Sequence, residues 1–198
     1  MAAGAQVVAG IDEAGRGPWA GPVIAAAVVL DATTLPEALI AAIDDSKKLT
    51  AAKREALFAA LPSFARIGVG RAEVAEIDAT NILAAALTAM ARAAEALGVA
   101  PDLALVDGNR PPKLRCPVEC VVKGDGRSLS IAAASVIAKV TRDREMATLA
   151  ESFPGYGWER NAGYGTAEHQ AALARLGLTP HHRRSFAPIR RLVESATS

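Results

Sequence analysis

The chain of 198 residues has few cysteines, no long apolar run and almost no net charge. Its two cysteines, Cys116 and Cys120, are too few for a disulfide framework and lack neighbouring partners for a zinc site, so we expect two reduced structural thiols. The longest apolar run covers residues 23 to 30 and is closed by Asp31, far short of the roughly 20 residues that cross a bilayer. No membrane span is expected.

Aromatic residues and excess charge are also scarce. The formal net charge of +1 excludes a protein that binds a polyanion through gross charge, so such a ligand requires a local basic patch. Two tryptophans, two tyrosines and four phenylalanines are too few to stack many bases, which favours a duplex over a single strand as a nucleic-acid ligand. No basic residue precedes an apolar stretch near the N-terminus, so the sequence predicts a cytoplasmic protein without a secretory signal.

The residues that are present form the pattern of one folded domain over residues 1 to 198. Half of the chain is hydrophobic (51%), which argues against disorder, and no repeat or linker divides it. The sequence predicts strands at 7–11, 23–30, 64–70, 103–106 and 118–122, and helices at 50–61, 81–97, 130–151 and 166–176. This order predicts an α/β fold, a mixed sheet with helices packed on it.

Carboxylates follow three of the predicted strands. Asp12 and Glu13 follow the first strand, Asp107 the fourth and Asp125 the fifth, so one edge of the sheet is expected to collect all four acids. Acids so close together raise each other's pKa unless hard cations neutralise them. All-oxygen ligands favour Mg²⁺ or Mn²⁺ over zinc, and two such ions about 4 Å apart can activate water and stabilise a leaving oxygen on phosphate.

Two observations complicate this interpretation. An acid after a strand is most often a turn or capping group, although four together are harder to explain that way. Successive strand residues also face opposite sides, so Asp12 and Glu13 can enter one site only if the backbone breaks between them. Gly10 and Gly15 on either side favour such a break.

Three loops carry groups suited to a polyanion. Gly15-Arg16-Gly17 combines close backbone approach with a guanidinium. Residues 45 to 49 place Ser46 and Lys47 before a helix start, where free amides favour anions, although a solvated cap explains them equally well. The loop around Asp125 adds two cations and a hydroxyl, from Lys123, Arg127 and Ser128.

Two further segments are less specific. Residues 181 to 184 form the densest basic run of the chain, which an exposed surface of no special purpose would also explain. Tyr164 lies between two glycines just before a predicted helix, a poor position for a core residue. The alternative is a tyrosine packed on its own loop.

Together, these motifs resemble those of ribonuclease HII. The resemblance rests on GIDEAGRG at 10–17, DSKKL at 45–49, VDGN at 106–109, KGD at 123–125, AAASVIAKVTRD at 132–143, GYGT at 163–166 and HRRSF at 182–186. It covers nearly the whole chain in the order and spacing of that family. It implies a ribonuclease H-like fold with a five-stranded mixed sheet, a core over about residues 1–150 and a C-terminal helical extension over about 151–198.

The resemblance also implies an activity and its residues. The family cleaves the RNA strand of RNA/DNA hybrids and nicks duplex DNA 5′ of single embedded ribonucleotides, leaving 3′-hydroxyl and 5′-phosphate ends, as in ribonucleotide excision repair. Asp12, Glu13, Asp107 and Asp125 correspond to its catalytic metal ligands. The Gly15-Arg16-Gly17 backbone corresponds to the reader of the ribose 2′-hydroxyl, and Tyr164 packs on the neighbouring deoxyribose. Substrate-binding positions are Ser46, Lys47, Lys123, Arg127, Ser128 and Arg184, the last five of them phosphate contacts.

Alternatives from other classes remain at this point. A non-catalytic hybrid binder is expected to have lost a carboxylate, and a phosphatase acting through an aspartyl nucleophile needs only one essential Asp. Ribonuclease HIII carries an additional N-terminal domain, for which the first predicted strand leaves no room. A monomer is expected, with replication or repair proteins as further candidate partners and no membrane partner.

Overall fold

The computed structural model describes residues 7 to 196, and within them it has five strands and eight helices. The prediction that no secretory signal is present concerns residues 1 to 5, which lie outside this range. The strands are β1 Val8–Ala14, β2 Val23–Leu30, β3 Ala65–Ala72, β4 Leu103–Asp107 and β5 Val118–Val121. The helices are α1 Glu37–Ala42, α2 Ala51–Ala60, α3 Val74–Ala79, α4 Ile82–Glu95, α5 Leu129–Ser152, α6 Trp158–Asn161, α7 Ala167–Leu176 and α8 Ala187–Ala196.

The strands form one mixed sheet in the order β3-β2-β1-β4-β5. β1 pairs antiparallel with β2, β2 pairs antiparallel with β3, and β1, β4 and β5 run parallel to one another. This confirms the predicted α/β class and the five-stranded mixed sheet. The carboxyl ends of the three parallel strands therefore meet at one edge of the sheet, where open α/β sheets bind ligands.

The predicted helix starts are confirmed by their caps. The Thr50 hydroxyl accepts a hydrogen bond from the Lys53 amide at the start of α2, and the Asn81 side chain accepts one from the Ala84 amide at the start of α4. These caps satisfy backbone amides that have no partner inside the helix.

The sequence prediction missed four helices, α1, α3, α6 and α8. α1 buries none of its residues and α6 is a single turn, so neither has a clear apolar stripe. α3 begins with a capping box formed by Glu73 and Glu76 instead of a Ser or Thr cap. The sequence prediction has no helix after residues 166–176, which is wrong, because α8 follows. The helical spacing of Ile189, Leu192 and Val193 was the signal for α8.

Two apolar layers cover the sheet, one on each face. α4 packs on one face and α5 on the other, and the contacts are rich in alanine. α5 comes so close to β1 that a Cβ atom on Gly10 would stand 2.1 Å from the Ser130 carbonyl carbon. Only glycine permits this approach, which brings the start of α5 against β1 two residues before Asp12.

A third apolar cluster joins the C-terminal helices to the loop after β1. Its buried members come from both parts of the chain: Ala20, Met146, Tyr156, Trp158, Ala172, Leu173 and Ile189. An isolated β-bridge pairs Ala20 with His182. Residues 15 to 22 are therefore packed between the sheet and the C-terminal segment.

Two remaining expectations concern thiols and membranes. Cys116 and Cys120 are free and partly buried. Among residues 7 to 196, no helix combines the length and the hydropathy needed to cross a membrane.

Candidate metal centre and nucleic-acid interface

Three of the four predicted acids meet at the carboxyl edge of the sheet. Asp12, Asp107 and Asp125 each offer a carboxylate oxygen, and these atoms lie within 4.8 Å of one another. The sheet register explains the first two. Ile11 pairs with Val106 across β1 and β4, so Asp12 and Asp107 are the next residues on neighbouring strands and share a face.

Asp125 reaches this group from outside the sheet. It lies in a short 3-10 turn, Gly124–Gly126, between β5 and α5. The Gly124 amide donates a hydrogen bond of 2.7 Å to Asp107 Oδ1, which ties the turn to the end of β4. The close approach of α5 to β1 thus carries Asp125 to the other two acids.

The expected backbone break between Asp12 and Glu13 is wrong. Both residues lie inside β1 instead of following it, and β1 pairs with β2 without interruption from Gly10–Val28 to Ala14–Ile24. Strand alternation directs Glu13 to the α4 face, since Ile11 packs in the cluster beneath α4, and Asp12 to the α5 face. Among the described residues Glu13 accordingly stands outside the group of three.

Glu13 is nevertheless coupled to the acidic group. Its Oε1 accepts a hydrogen bond of 3.2 Å from Arg16 Nη1, while its buried Oε2 has no hydrogen-bond partner among the described residues. Burial raises the pKa of Glu13, and the Asp107 charge adds to this, although the Arg16 guanidinium acts in the opposite direction. A buried carboxylate oxygen without a partner is costly, so it indicates that a cation or donor belongs nearby.

Asp12 carries the strongest electrostatic strain of the site. Asp12 is 5% exposed, and burial raises the pKa of its carboxyl group well above the usual range. The charges of Glu13 and Asp107 raise it further, while the Glu13 amide, which donates a 2.7 Å hydrogen bond to Asp12 Oδ1, lowers it. The acids therefore repel one another in a desolvated place.

Lys47 supplies a cation at the rim of this site. Its Nζ lies 3.5 Å from Asp125 Oδ2, on a side chain that is 78% exposed. Burial alone would lower the pKa of Lys47, but the charges of Asp12 and Asp125 outweigh it, and the pKa is raised. One exposed ammonium compensates the acids only in part.

This donor set fits a hard divalent cation. Three carboxylate oxygens converge, a fourth carboxylate nearby has an unpartnered buried oxygen, and the mutual repulsion of the acids is relieved when a cation binds. All ligands are oxygen, the chemistry preferred by Mg²⁺ and Mn²⁺.

Two buried arginines hold the loop that follows the acidic pair. Arg183 donates to the carbonyl oxygens of Gly15 (2.6 Å), Arg16 (3.2 Å), Gly21 (2.9 Å) and Pro22 (3.1 Å). Arg142 donates to the carbonyls of Pro22 (3.0 Å), Ala20 (3.1 Å) and Ala162 (2.9 Å). Burial lowers the pKa of Arg183 to about 9 and that of Arg142 to about 10, so both keep their charge at pH 7.

The basic run at residues 181 to 184 is therefore not simply an exposed surface. His182 and Arg183 are 1% and 0% exposed. Sequence reasoning missed the bracing role of Arg142 and Arg183. A signal was present for Arg142, because it stands four residues from Ala138 and from Met146 on the buried stripe of α5.

Gly15 and Gly17 stand where no side chain fits easily. Gly15 has a φ of +99°, and a Cβ there would lie 2.1 Å from Arg142 Nε. A Cβ on Gly17 would lie 3.1 Å from Cε1 of the Tyr164 ring. Tyr164 is 48% exposed, so its ring stands at the surface beside Gly17 and is not a core residue.

The remaining predicted contacts are spread around this centre. Lys123 and Arg127 are exposed on the turn that carries Asp125, and Ser128 is partly buried, with its hydroxyl 3.1 Å from that of Ser130. Ser46 is buried, and its amide donates to the Ser135 hydroxyl at 3.2 Å. Arg184 is exposed beside α3, where its amide donates to Asp78 at 3.0 Å.

The chain is similar in sequence to ribonuclease HII proteins over most of its length. The family model described as Ribonuclease HII matches residues 9–189. Ribonuclease HII of Rhodospirillum rubrum is 65% identical over 185 residues, which cover 92% of this chain and 85% of that protein. Ribonuclease HII of Paramagnetospirillum magneticum is 64% identical over 183 residues, covering 92% of this chain and 91% of that protein.

Solved structures show the same architecture. The ribonuclease H2 from Pyrococcus horikoshii matches with a TM-score of 0.82 at 29% identity, over 98% of this chain and 100% of that one. RNase HII from Archaeoglobus fulgidus, solved in complex with PCNA, has a TM-score of 0.73 at 28% identity, over 89% and 93% of the chains. Bst-RNase HIII, solved with Mn²⁺, has a TM-score of 0.74 at 20% identity, over 96% and 70%, and shows the shared fold.

Proposed function

The chain belongs to the ribonuclease HII family, and we propose that it hydrolyses the RNA strand of RNA/DNA hybrids and nicks duplex DNA 5′ of single embedded ribonucleotides. The products are a 3′-hydroxyl and a 5′-phosphate. This activity initiates the removal of ribonucleotides from DNA, so replication or repair proteins are its proposed partners, in the cytoplasm. The A. fulgidus relative in complex with PCNA supports that class of partner.

One observation supports the proposal above the others, the convergence of Asp12, Asp107 and Asp125 within 4.8 Å at the carboxyl edge of the sheet. We propose these three as catalytic metal ligands, with Glu13 as a fourth acid beside them. When bound there, two Mg²⁺ or Mn²⁺ ions supply an activated water on one side of the phosphodiester and charge stabilisation of the leaving oxygen on the other. The carboxylates hold the ions, and the sheet edge fixes the carboxylates.

Selection of the ribonucleotide is assigned to the loop after β1. With no side chain at Gly15 and Gly17, the backbone of residues 15 to 17 approaches the sugar and hydrogen-bonds its 2′-hydroxyl. A deoxyribose leaves these polar groups unpaired, and a site of this kind rejects a ligand without the hydroxyl by up to about 10⁴–10⁵-fold. Arg142 and Arg183 keep the loop in shape by binding its carbonyl groups.

Tyr164 is the proposed reader of the RNA-to-DNA junction. Its exposed ring stands beside Gly17, so one surface presents the 2′-hydroxyl reader and an aromatic face for the next sugar. Basic and hydroxyl groups around the acids are proposed to bind the flanking phosphates: Lys47, Lys123, Arg127 and Ser128 near the centre, and Arg184 farther along. Ser46 is proposed to act through its turn, because its side chain is buried.

We propose a division of the single domain into a core over about residues 1–150 and an extension over about 151–198. The extension supplies Tyr164 and Arg183, so both parts contribute to the proposed substrate surface. The third apolar cluster, which joins Ala20 to Trp158 and Ile189, supports their acting as one unit. A monomer is sufficient for this arrangement.

A cleavage assay tests the proposal. With Mg²⁺ or Mn²⁺, the protein is expected to nick a DNA duplex that contains one ribonucleotide, to cut a long RNA/DNA hybrid, and to leave the all-DNA duplex intact. Chelation of the metal should stop both reactions. Equal cutting of the ribonucleotide-containing and all-DNA duplexes would refute ribonucleotide selection, and binding without cutting under every metal condition would identify a non-catalytic hybrid binder.

A further inference from the structure

Two buried histidines lie directly behind Tyr164. His169, on α7, is 0% exposed, and His182, in the segment after α7, is 1% exposed. Their Nε2 atoms are 3.0 Å apart, which requires a hydrogen bond between the two rings. Neither side chain belongs to the acidic centre, and neither is needed for the chemistry proposed above.

The partners of His169 determine which ring nitrogen carries its proton. Nδ1 lies 2.9 Å from the Tyr164 carbonyl oxygen, which can only accept, so Nδ1 must carry hydrogen. Nε2 receives the indole N–H of Trp158 at 3.2 Å, so Nε2 must be bare. His169 is thus neutral, with its proton on Nδ1.

The partners of His182 determine the opposite tautomer. Its Nδ1 lies 2.9 Å from the Thr179 amide nitrogen, which can only donate, so Nδ1 is bare and Nε2 carries the proton. That proton points at the bare Nε2 of His169. The bonds from the Thr179 amide through His182 and His169 to the carbonyl of Tyr164 then run in one direction, and His169 Nε2 shares its lone pair between the donors of His182 and Trp158.

The segment that carries His182 also braces the other half of the proposed ribonucleotide surface. Arg183, the next residue, donates to the carbonyls of Gly15 and Arg16. His182 acts on Tyr164 through His169, and the next residue, Arg183, holds the Gly15–Gly17 backbone. The Tyr164 ring and this backbone face each other across the proposed surface. The 3.1 Å approach of the ring to a Cβ position on Gly17 depends on both.

We propose that His169 and His182 are positioning residues that hold Tyr164 against Gly17 through this one-directional chain of neutral hydrogen bonds. The inference rests on the proposed function, since it concerns how the junction reader is oriented. The two rings touch no substrate. Their contribution is to fix the backbone at Tyr164, and with it the angle of the exposed ring.

The tautomers can be measured directly in the full-length protein. The chain has three histidines, so long-range ¹H–¹⁵N spectra at pH 7 resolve each ring. We expect neutral His169 protonated on Nδ1 and neutral His182 protonated on Nε2. A proton on Nε2 of His169, or an imidazolium at either residue, would overturn the chain of bonds whether or not the protein cleaves hybrids.

Matched amide variants test the positioning role. An Asn amide reaches the place of Nδ1 and a Gln amide that of Nε2. His169→Asn therefore keeps the donor to Tyr164 and His169→Gln loses it, whereas His182→Gln keeps the donor to His169 and His182→Asn loses it. We expect His169→Gln, which loses the bond to Tyr164, to reduce cleavage at a single ribonucleotide about tenfold more than cleavage of a long hybrid, and His182→Gln to keep the wild-type ratio within twofold. His169→Asn and His182→Asn both break the bond between the two rings, so both should shift the ratio in the same direction by a similar, smaller factor.

The controls separate the outcomes. Equal losses on both substrates in all four variants, or no change in any of them, would overturn the positioning role. Tyr164→Ala serves as the reference: if it shifts the ratio while the four histidine variants do not, the junction reader stands and the histidine chain fails. If wild type nicks no ribonucleotide-containing duplex, the proposed function fails, and the tautomer measurement still decides the chain of bonds.

Discussion

At the scale of single residues, the acidic centre destabilises the fold that contains it. Asp12 is almost fully buried next to Glu13 and Asp107, with a raised pKa, and Glu13 has a buried oxygen without a partner among the described residues. Functional sites commonly carry such strain, because the same groups that repel in isolation bind a cation together. Stability and metal binding should therefore change in opposite directions when one acid is neutralised.

Asp12→Asn tests this relation. In metal-free buffer at pH 7.5 we expect the melting temperature to rise by about 2–4 °C, which corresponds to about 1 kcal/mol in a domain of this size. Wild type should gain stability when Mn²⁺ is added, by mass action, and the variant should gain less. Turnover should be abolished while hybrid binding stays measurable.

An exposed acid provides the control for Asp12→Asn. Glu119 lies exposed on β5, so Glu119→Gln should change stability by no more than about 0.5 kcal/mol and leave the Mn²⁺ response unchanged. Near-normal cleavage by Asp12→Asn would remove Asp12 from the mechanism.

His182 makes the stability of the fold depend on pH. Burial, followed by the repulsion that a protonated His169 ring would exert, lowers the pKa of His182 to about 4, below the 6.5 of an unfolded histidine. Between these pH values the unfolded chain binds a proton that the folded protein does not. The contribution of neutral His182 to the free energy of unfolding is therefore fully present above pH 6.5 and is lost as the pH falls towards 4. The expected loss for wild type is on the order of 3 kcal/mol of unfolding free energy.

Comparison with His182→Gln isolates this contribution. The buried acids contribute with the opposite sign at low pH, because their raised pKa values favour the protonated folded state, and they are common to both proteins. Denaturant unfolding at several pH values should show the difference between the two proteins shrinking from pH 7 to pH 4.5. A difference that stays constant over this range would contradict the depressed pKa.

At the scale of elements, the loop at residues 15 to 22 depends on groups distant in sequence. Its carbonyl oxygens are bound by Arg142 of α5 and by Arg183 near the C-terminus. These guanidinium groups donate to uncharged backbone carbonyls and not to carboxylates, so their positive charge remains directly beneath the proposed sugar-binding surface. Binding residues often lie on loops that a rigid scaffold positions, and here α5 and the C-terminal segment position the loop.

Gly15→Ala should therefore cost more than a glycine replacement elsewhere. Gly98 also has a positive φ, of +69°, but no atom lies within 4 Å of its Cβ position, so Gly98→Ala should lose only about 1 kcal/mol. Gly15→Ala adds the collision with Arg142 to the same backbone strain, and we expect a loss of about 3 kcal/mol by denaturant unfolding. Its ribonucleotide cleavage should also fall, whereas that of Gly98→Ala should not; equal losses of stability would argue against the bracing of the loop.

At the scale of the whole molecule, the protein has almost no net charge, but basic residues are concentrated around the acidic centre. The net charge is +1, yet Lys47, Lys123 and Arg127 stand around one acidic centre. Affinity for a duplex should come from these phosphate contacts and weaken with salt, while the choice between ribose and deoxyribose should not.

Lys123→Gln tests the phosphate contribution. In an Asp107→Asn background, which prevents cleavage, the slope of log affinity against log salt should become about one unit less steep for a hybrid duplex. Lys113→Gln is the control, because Lys113 lies with Pro101 at the opposite edge of the sheet, and it should leave the slope unchanged. An unchanged slope for both variants would exclude Lys123 from the interface.

Much of this protein follows from its sequence. The alternation of apolar strands and capped helices predicted the mixed sheet, because strand period, helix caps and turn residues are local properties. The placement of Asp12, Asp107 and Asp125 after or at the ends of parallel strands predicted their convergence, because parallel strands end at a common edge.

Only the tertiary structure decided the rest. Whether β1 breaks after Asp12 depended on pairing with β2, which continues to Ala14 and sends Glu13 to the opposite face. The sequence did not show that Arg183 and His182 are buried. Arg183 binds carbonyl groups more than 150 residues away, and His182 bonds to the ring of His169. The sequence shows the same run of basic residues whether they are exposed or buried. Burial and hydrogen-bond partners are decided only when distant segments pack together.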